Sequence, residues 1–357
     1  MNKMKLGIIF GGQSGEHEVS LMSSTSIINV IDREIYDLTL IGITKTGKWL
    51  LYNGEIDKIK TGEWEDEGIN IFLSLDPDYK GLFTINNCHR EFYQLDIVFP
   101  VLHGPKGEDG TIQGLFEVLQ IPYVSSDVMS SALGMDKAFS KKLFEYAGLP
   151  ILRYQVYSKN QFAAEKENTV KNIEEELGYP CFVKPCNLGS SVGISKAHNR
   201  SELYEAIKTA FLYDNRIIIE EFVNAREIEL SILGNETPEV SVPGEIVYAK
   251  EFYDYEAKYF DNKGTKLIIP APIPEPVVER IQEVAIKAYK TLNCSIFARA
   301  DFFYDEVNDK IYINELNTIP GFTHGSMYPK LWEAAGISYT KLVNRLLELA
   351  IERHSNK

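Results

Sequence analysis

The residues best equipped for chemistry lie on a predicted hairpin, Phe297–Phe303 followed by Ile311–Asn317. Side chains alternate along a strand, so Arg299 and Asp301 share one face, as do Glu315 and Asn317. The stretch Asp305-Glu306-Val307-Asn308-Asp309 supplies a turn that lays the strands side by side. Two carboxylates, a carboxamide oxygen and a guanidinium then meet on one surface. Hard oxygen donors in that number suit Mg²⁺, whose remaining positions go to water and phosphate. Arg299 can pair bidentately with carboxylate or phosphate. The flanking Phe297, Phe302, Phe303 and Ile313 argue for a buried hairpin rather than a solvated charged face, because unpaired charges there would be costly.

Other segments carry weaker signals. Lys184 ends a predicted strand before Asn187-Leu188-Gly189-Ser190-Ser191-Val192-Gly193, a flap whose backbone N–H groups and hydroxyls can wrap polyphosphate. Ile217-Ile218-Ile219-Glu220-Glu221-Phe222-Val223 reads either as an adenine-binding edge with Glu227 near a ribose, or as a core strand with solvated glutamates. Gly11-Gly12-Gln13-Ser14-Gly15 follows the first strand with GGxxG spacing, a poor match to the GxGxxG of dinucleotide folds. Glu16 and Glu18 stand there at a helix mouth, at the carboxyl end of a strand, able either to cap the helix or to bind an ammonium group. Gly42-Ile43-Thr44-Lys45-Thr46-Gly47-Lys48 imitates a phosphate-binding P-loop, but Trp49 replaces the Mg²⁺-binding hydroxyl and Leu50-Leu51-Tyr52 continues as a strand. A hairpin turn is the expectation.

The elements that must position these groups alternate. Strands are expected at Leu6–Phe10, Tyr36–Thr44, Leu95–His103 and Pro122–Val124, with helices at Val19–Ile31 and Ile112–Leu119. That order implies a parallel sheet with crossover helices. Apart from the strand-like Leu50–Tyr52, residues 50–92 are polar and irregular, and the sequence says least there. Helices follow at Met129–Leu133, Lys137–Tyr146 and Asn172–Leu177, then strand Phe182–Pro185, helix Ser201–Leu212 and strand Ile217–Glu220. The last third holds strand Glu227–Leu233, a polar-aromatic loop over Phe252–Lys266, helix Pro276–Leu292, the hairpin, and a helix over Tyr339–Glu352.

Composition narrows the class. The 357 residues allow two or three domains. Lys plus Arg number 37 against 51 acids, a net charge of −14, which argues against general binding of nucleic acid or anionic membrane. No apolar run approaches the ~20 residues of a membrane helix, and Met1–Leu6 runs into a strand without a signal-peptide core. Cys88, Cys181, Cys186 and Cys294 form no CxxC pair and read as reduced thiols of a cytoplasmic protein.

Taken in order, Lys184 with its flap, Glu220–Glu227, Asp301, Glu315 and Asn317 resemble the ATP-grasp superfamily. Four longer stretches resemble the D-alanine–D-alanine ligases: Gly11–Ser20, His103-Gly104-Pro105-Lys106-Gly107-Glu108-Asp109-Gly110, Phe252–Tyr259 and Asn317-Thr318-Ile319-Pro320-Gly321-Phe322-Thr323. The match spans nearly the whole chain and is weakest at residues 50–92. It implies an α/β N-terminal substrate-binding domain over 1–126, then a two-part ATP-grasp fold with a central domain over 127–222 and a catalytic domain over 223–357.

The resemblance also implies residue roles. Glu16 would hold the ammonium of a first D-alanine, linked to Ser190 and Tyr259 so that flap and loop shut together. Lys137, Lys184 and Ser191 would grip ATP phosphates, Glu220, Glu221, Val223 and Glu227 would bind adenosine, and Lys258 would approach the γ-phosphate. Asp301, Glu315 and Asn317 would ligate one or two Mg²⁺ or Mn²⁺ ions. Arg299 and the Gly321 N–H would stabilise a tetrahedral oxyanion; Ser326 and Met327 would meet the second substrate, and His103 would line the pocket.

The implied reaction phosphorylates one D-alanine carboxylate, and a second D-alanine amine attacks the acyl phosphate. Its product would serve bacterial peptidoglycan and cell shape, and the enzyme would be a cytoplasmic homodimer. One departure stands out: Thr323-His324-Gly325-Ser326 replaces the Thr-Ser-His-Ser of many relatives. D-serine as second substrate, or another ATP-grasp carboxylate–amine ligase, therefore remains an alternative. A nicotinamide-dependent dehydrogenase is a poorer fit, since hydride transfer has no use for Asp301, Glu315 and Asn317.

Overall fold

The computed structural model describes residues 3–86, 89–248 and 265–356. Its N-terminal part is β1 (Met4–Gly11), α1 (His17–Ile28), β2 (Tyr36–Ile43), β3 (Trp49–Tyr52), α2 (Asp57–Thr61), α3 (Trp64–Glu67), β4 (Ile69–Leu73), β5 (Gly81–Asn86), β6 (His89–Gln94) and β7 (Ile97–Pro100). One sheet joins all seven strands in the order β6-β5-β4-β3-β2-β1-β7. Its centre is the expected parallel unit: β1 pairs with β2 (Ile8↔Leu40) and with β7 (Ile8↔Phe99). Leu6, Ile8, Ile9 and Phe10 are buried because the sheet is covered on both faces there.

The expected strand Leu50–Tyr52 is β3, and the residues after it, which the sequence left open, add further antiparallel strands to that edge. The apolar runs here are short and interrupted, as in Ile69-Asn70-Ile71-Phe72-Leu73 and Gly81-Leu82-Phe83-Thr84, and Phe72 is exposed. Glycine at position 42 is needed because Trp64 packs where a side chain would stand, its ring 2.0 Å from a Cβ added there. The P-loop imitation is the β2–β3 turn, closed by the Thr44 N–H donating to the Lys48 carbonyl and the Gly47 N–H donating to the Thr44 carbonyl, each at 2.9 Å. Pro122–Val124 forms no strand, only a bridge between Val98 and Tyr123.

α4 (Thr111–Leu119), α5 (Val128–Met135) and α6 (Lys137–Tyr146) lead onward, the last two capped by Asp127 and Asp136. The central sheet, order β10-β9-β11-β8, comprises β8 (Tyr154–Ser158), β9 (Cys181–Pro185), β10 (Ser195–Ala197) and β11 (Arg216–Glu221). It carries α7 (Lys159–Ala164), α8 (Lys166–Glu176) and α9 (Arg200–Ala210). α8 starts six residues before the expected Asn172, because its first two turns are almost wholly polar and show no apolar period.

The third sheet holds β12 (Arg226–Leu233), β13 (Glu239–Val240), β14 (Gly244–Tyr248), β15 (Thr265–Ile268), β16 (Phe297–Asp305) and β17 (Lys310–Asn317). α10 (Glu275–Thr291) lays Val277, Ile281, Ala285 and Ala288 on one apolar face of this sheet, leaving the other for chemistry. After α11 (Met327–Ala334), α12 (Tyr339–Ser355) returns to the first sheet, where Leu342, Val343, Leu346 and Ala350 share a core with Leu6 and Ile8. Among the described residues no helix is long and apolar enough to cross a membrane. Cys181, Cys186 and Cys294 are buried free thiols; Cys88 lies outside the described residues.

Candidate active site

The hairpin forms in the expected register, with Arg299 opposite Asn317 and Asp301 opposite Glu315. A register shift follows between Asp301 and Phe302, which locally breaks strict alternation just beyond the functional pair. Arg299 grips Asp301 with two bonds of 2.7 Å, and Asn317 Nδ2 donates to Asp301 Oδ2 at 2.9 Å. A residue the sequence reading missed completes this cluster: Glu229 on β12 sits opposite Asp301, its Oε2 3.0 Å from Arg299 Nε. Its signal was its place two residues after Glu227, on the same strand face.

This face forms one wall of a cleft of about 580 Å³. The flap after β9 forms another. Ser190 and Ser191 both adopt left-handed backbone (φ 52° and 60°), a strained conformation that costs about 1–2 kcal/mol per residue and is kept where function over-determines the fold. The Ser190 hydroxyl donates to a Glu16 carboxylate oxygen. Glu16 makes no side-chain cap to α1, so its carboxylate faces the cleft rather than its own helix. Glycines let it settle there: a Cβ at Gly104 would lie 2.5 Å from Glu16 Oε2, and one at Gly189 3.2 Å.

Cations connect the walls. Lys137 Nζ donates to the Leu188 carbonyl of the flap at 2.7 Å and lies 3.3 Å from Glu315. Lys184 pairs with Glu220 at 2.6 Å. Lys141, also missed, meets the other Glu220 oxygen at 3.0 Å; it stands one turn beyond Lys137 on α6. Burial opposes ionisation of Glu220, but the two ammonium groups prevail and hold its carboxyl at about 2. His103 is buried, with Nδ1 3.0 Å from the Ile319 carbonyl and 3.6 Å from Glu108. Burial disfavours the imidazolium, yet the Glu108 and Glu16 carboxylates raise His103 above its ordinary pKa.

The cleft thus brings together Glu16, His103, Lys137, Lys184, Ser190, Ser191, Glu220, Glu221, Val223, Glu227, Arg299, Asp301, Glu315, Asn317 and Gly321. Ser326 stands just outside it, with Oγ 3.2 Å from a Cβ added at Gly321, and accepts the Thr323 N–H at 3.0 Å. Met327 is buried at the start of α11, against Gly244. Lys258, Tyr259 and the Phe252–Lys266 loop up to residue 264 lie outside the described residues.

Metal chemistry fits the donor set. Among the described residues no three His, Cys, Asp or Glu side chains form a self-sufficient metal cage. Two carboxylates and a carboxamide are instead what Mg²⁺ uses when phosphate supplies the rest. Charge agrees: nine carboxylates line the cleft against five Lys and Arg side chains among the described residues, so a polyphosphate needs accompanying cations.

An antiparallel central sheet with its flap, closing on a third sheet whose acids face the same cleft, defines an ATP-grasp enzyme. Residues 5–126 match the family description "D-ala D-ala ligase N-terminus" and residues 143–348 "D-ala D-ala ligase C-terminus". The chain belongs to the D-alanine–D-alanine ligase family.

It is 54% identical to the D-alanine–D-alanine ligase of Thermoanaerobacter sp. (strain X514), covering 100% of this chain and 99% of that one. Identity to the ligase of Acetivibrio thermocellus is 49%, over 99% and 98%. Among solved structures, VanG D-Ala:D-Ser ligase from Enterococcus faecalis is similar at TM-score 0.89 and 38% identity, covering 98% of this chain and 100% of that one. The D-alanine–D-alanine ligase from Coxiella burnetii follows at TM-score 0.85 and 35% identity, over 99% and 97%.

Proposed function

We propose that the protein couples ATP cleavage to ligation of two D-alanines into D-alanyl-D-alanine. The observation that carries this reading is the meeting of Glu16, uncapped to its helix and tied to the flap by Ser190, with Arg299 and the Asp301–Glu315–Asn317 set in one flap-covered cleft. Glu16 binds the first ammonium and so directs that substrate's carboxylate toward the hairpin. Asp301, Glu315 and Asn317 would hold Mg²⁺, which neutralises charge on the transferring phosphate. Lys137 and Lys184 grip phosphates, while Glu220, Glu221, Val223 and Glu227 receive adenosine.

A carboxylate is a poor electrophile until phosphorylation turns one oxygen into a leaving group. The acyl phosphate must then be kept from water, which is the flap's task. The second amine attacks its carbon, and the developing oxyanion is met by Arg299 and the Gly321 N–H. Ser326 anchors the second carboxylate. Residues 1–126 supply the first amino-acid site, and 127–222 with 223–357 clamp the nucleotide. We expect a cytoplasmic homodimer, on family resemblance.

The test is ADP release by the purified protein with Mg²⁺, ATP and a panel of D- and L-amino acids, alone and in pairs. One D-alanyl-D-alanine per ADP with D-alanine alone supports the reading. Indifference to D-alanine removes it, and a preference for D-alanine paired with D-serine moves the specificity of the second site.

A further inference from the structure

Ser23 lies in the middle of α1 and is fully buried, yet it behaves unlike its neighbours. Ser24, Thr25 and Ser26 donate their hydroxyls to α1's own carbonyls. Ser23 instead reaches the far end of the chain: the Phe322 N–H donates to its Oγ at 3.3 Å, and that Oγ lies 3.2 Å from His103 Nε2. The other ring nitrogen of His103, Nδ1, faces the Ile319 carbonyl at 3.0 Å. A carbonyl can only accept, so Nδ1 carries a proton, and in the neutral ring Nε2 accepts from Ser23. The two side chains therefore hold both ends of the Ile319-Pro320-Gly321-Phe322 turn. Tyr339 fixes it further by donating to the Phe322 carbonyl. Among the described residues the Gly321 N–H itself makes no hydrogen bond.

We propose that Ser23 is a positioning residue for the Gly321 N–H, acting with His103 to aim it at the oxyanion; this rests on the ligase reading above. An oxyanion donor is effective only when aimed in advance, since reorganisation during reaction would cancel its benefit. α1 adds a second constraint. Glu16 stands at its N-terminal end and Ser23 seven residues further on, about 10 Å along a rigid helix. One helix thus sets the spacing between the first substrate's ammonium site and the donor meeting its carbonyl oxygen.

The test compares Ser23→Ala and Ser23→Cys with the parent for kcat, KM for ATP and D-alanine, thermal stability, and affinity for a tetrahedral phosphorus analogue of the ligation intermediate. Ser23→Ala is expected to lower kcat by about 10–100-fold and to weaken analogue binding by a similar factor, with KM for ATP little changed. Ser23→Cys, which keeps a weaker donor and acceptor, retains more activity and affinity than alanine. Parental kcat and analogue affinity in Ser23→Ala overturn the proposal, as does a loss of thermal stability with no loss of analogue affinity. Failure of the ligase reading shows separately, in a parent protein that releases no ADP with D-alanine, and takes this proposal with it.

Discussion

The Ser190 hydroxyl donates to the Glu16 carboxylate, joining two residues 174 positions apart and tying the flap to the mouth of α1. A hydrogen bond to a charged group contributes about 1.5–3 kcal/mol, or roughly 10–100-fold in the closed population. Ser190→Ala should therefore lower dipeptide turnover by about that factor. Because an open flap admits water to the acyl phosphate, ADP should also exceed dipeptide. Parallel assays of the two products check this.

Glu220 lends itself to a pH test. Its carboxyl is held at about 2 against an ordinary 4.5, so the folded state favours the ionised form. Such a group stabilises the protein fully above its unfolded pKa, and the contribution is lost as pH falls through the folded value. Removing one partner of a buried pair costs about 3–5 kcal/mol. Glu220→Gln should lose stability of that order at pH 7, and its deficit against the parent should shrink between about pH 5 and pH 2. Urea unfolding across that range measures it; a deficit that stays constant contradicts the ion-pair account.

Both Asp301 carboxylate oxygens accept from Arg299, and Asn317 Nδ2 donates to one of them; the proposed metal ion would share this carboxylate. Asp301→Asn should raise the half-saturating Mg²⁺ concentration by at least about 10–100-fold, the loss typical of disturbing even an outer partner of a metal ligand. Removing divalent ions with EDTA should stop ADP release by the parent. Turnover and Mn²⁺ binding titrated in the presence of nucleotide report both effects.

Arg299 is buried and held by Glu229 and Asp301. Losing a preorganised oxyanion donor typically costs ~10²–10³ in turnover. Arg299→Ala should lose about that much while its circular dichroism stays that of the parent. Near-normal turnover would refute its assignment.

Local pattern carried the hairpin. Strand alternation alone placed Arg299 with Asp301 and Glu315 with Asn317, and the register bears this out. Glu229 and Lys141 escaped because their meaning comes from pairing across elements: β12 against β16, and α6 beneath β11. Ser23 was hidden for the same reason, its partner Phe322 lying 299 residues away. The strands after Tyr52 went unread because their apolar runs are only two or three residues long and broken by polar residues or glycine, as in Ile69-Asn70-Ile71-Phe72-Leu73. For Glu16, spacing left capping and ammonium binding even; in the structure it makes no side-chain cap to α1 and accepts the Ser190 hydroxyl.

The central claim is that paired strands hold a divalent ion against the nucleotide's terminal phosphate, next to the Arg299 guanidinium. A crystal structure with a non-hydrolysable ATP analogue and Mg²⁺ tests it most directly. The account predicts an ion bound by Asp301, Glu315 and Asn317 and by the terminal phosphate. Those three side chains turned to solvent, with no ion between them and the nucleotide, would contradict it.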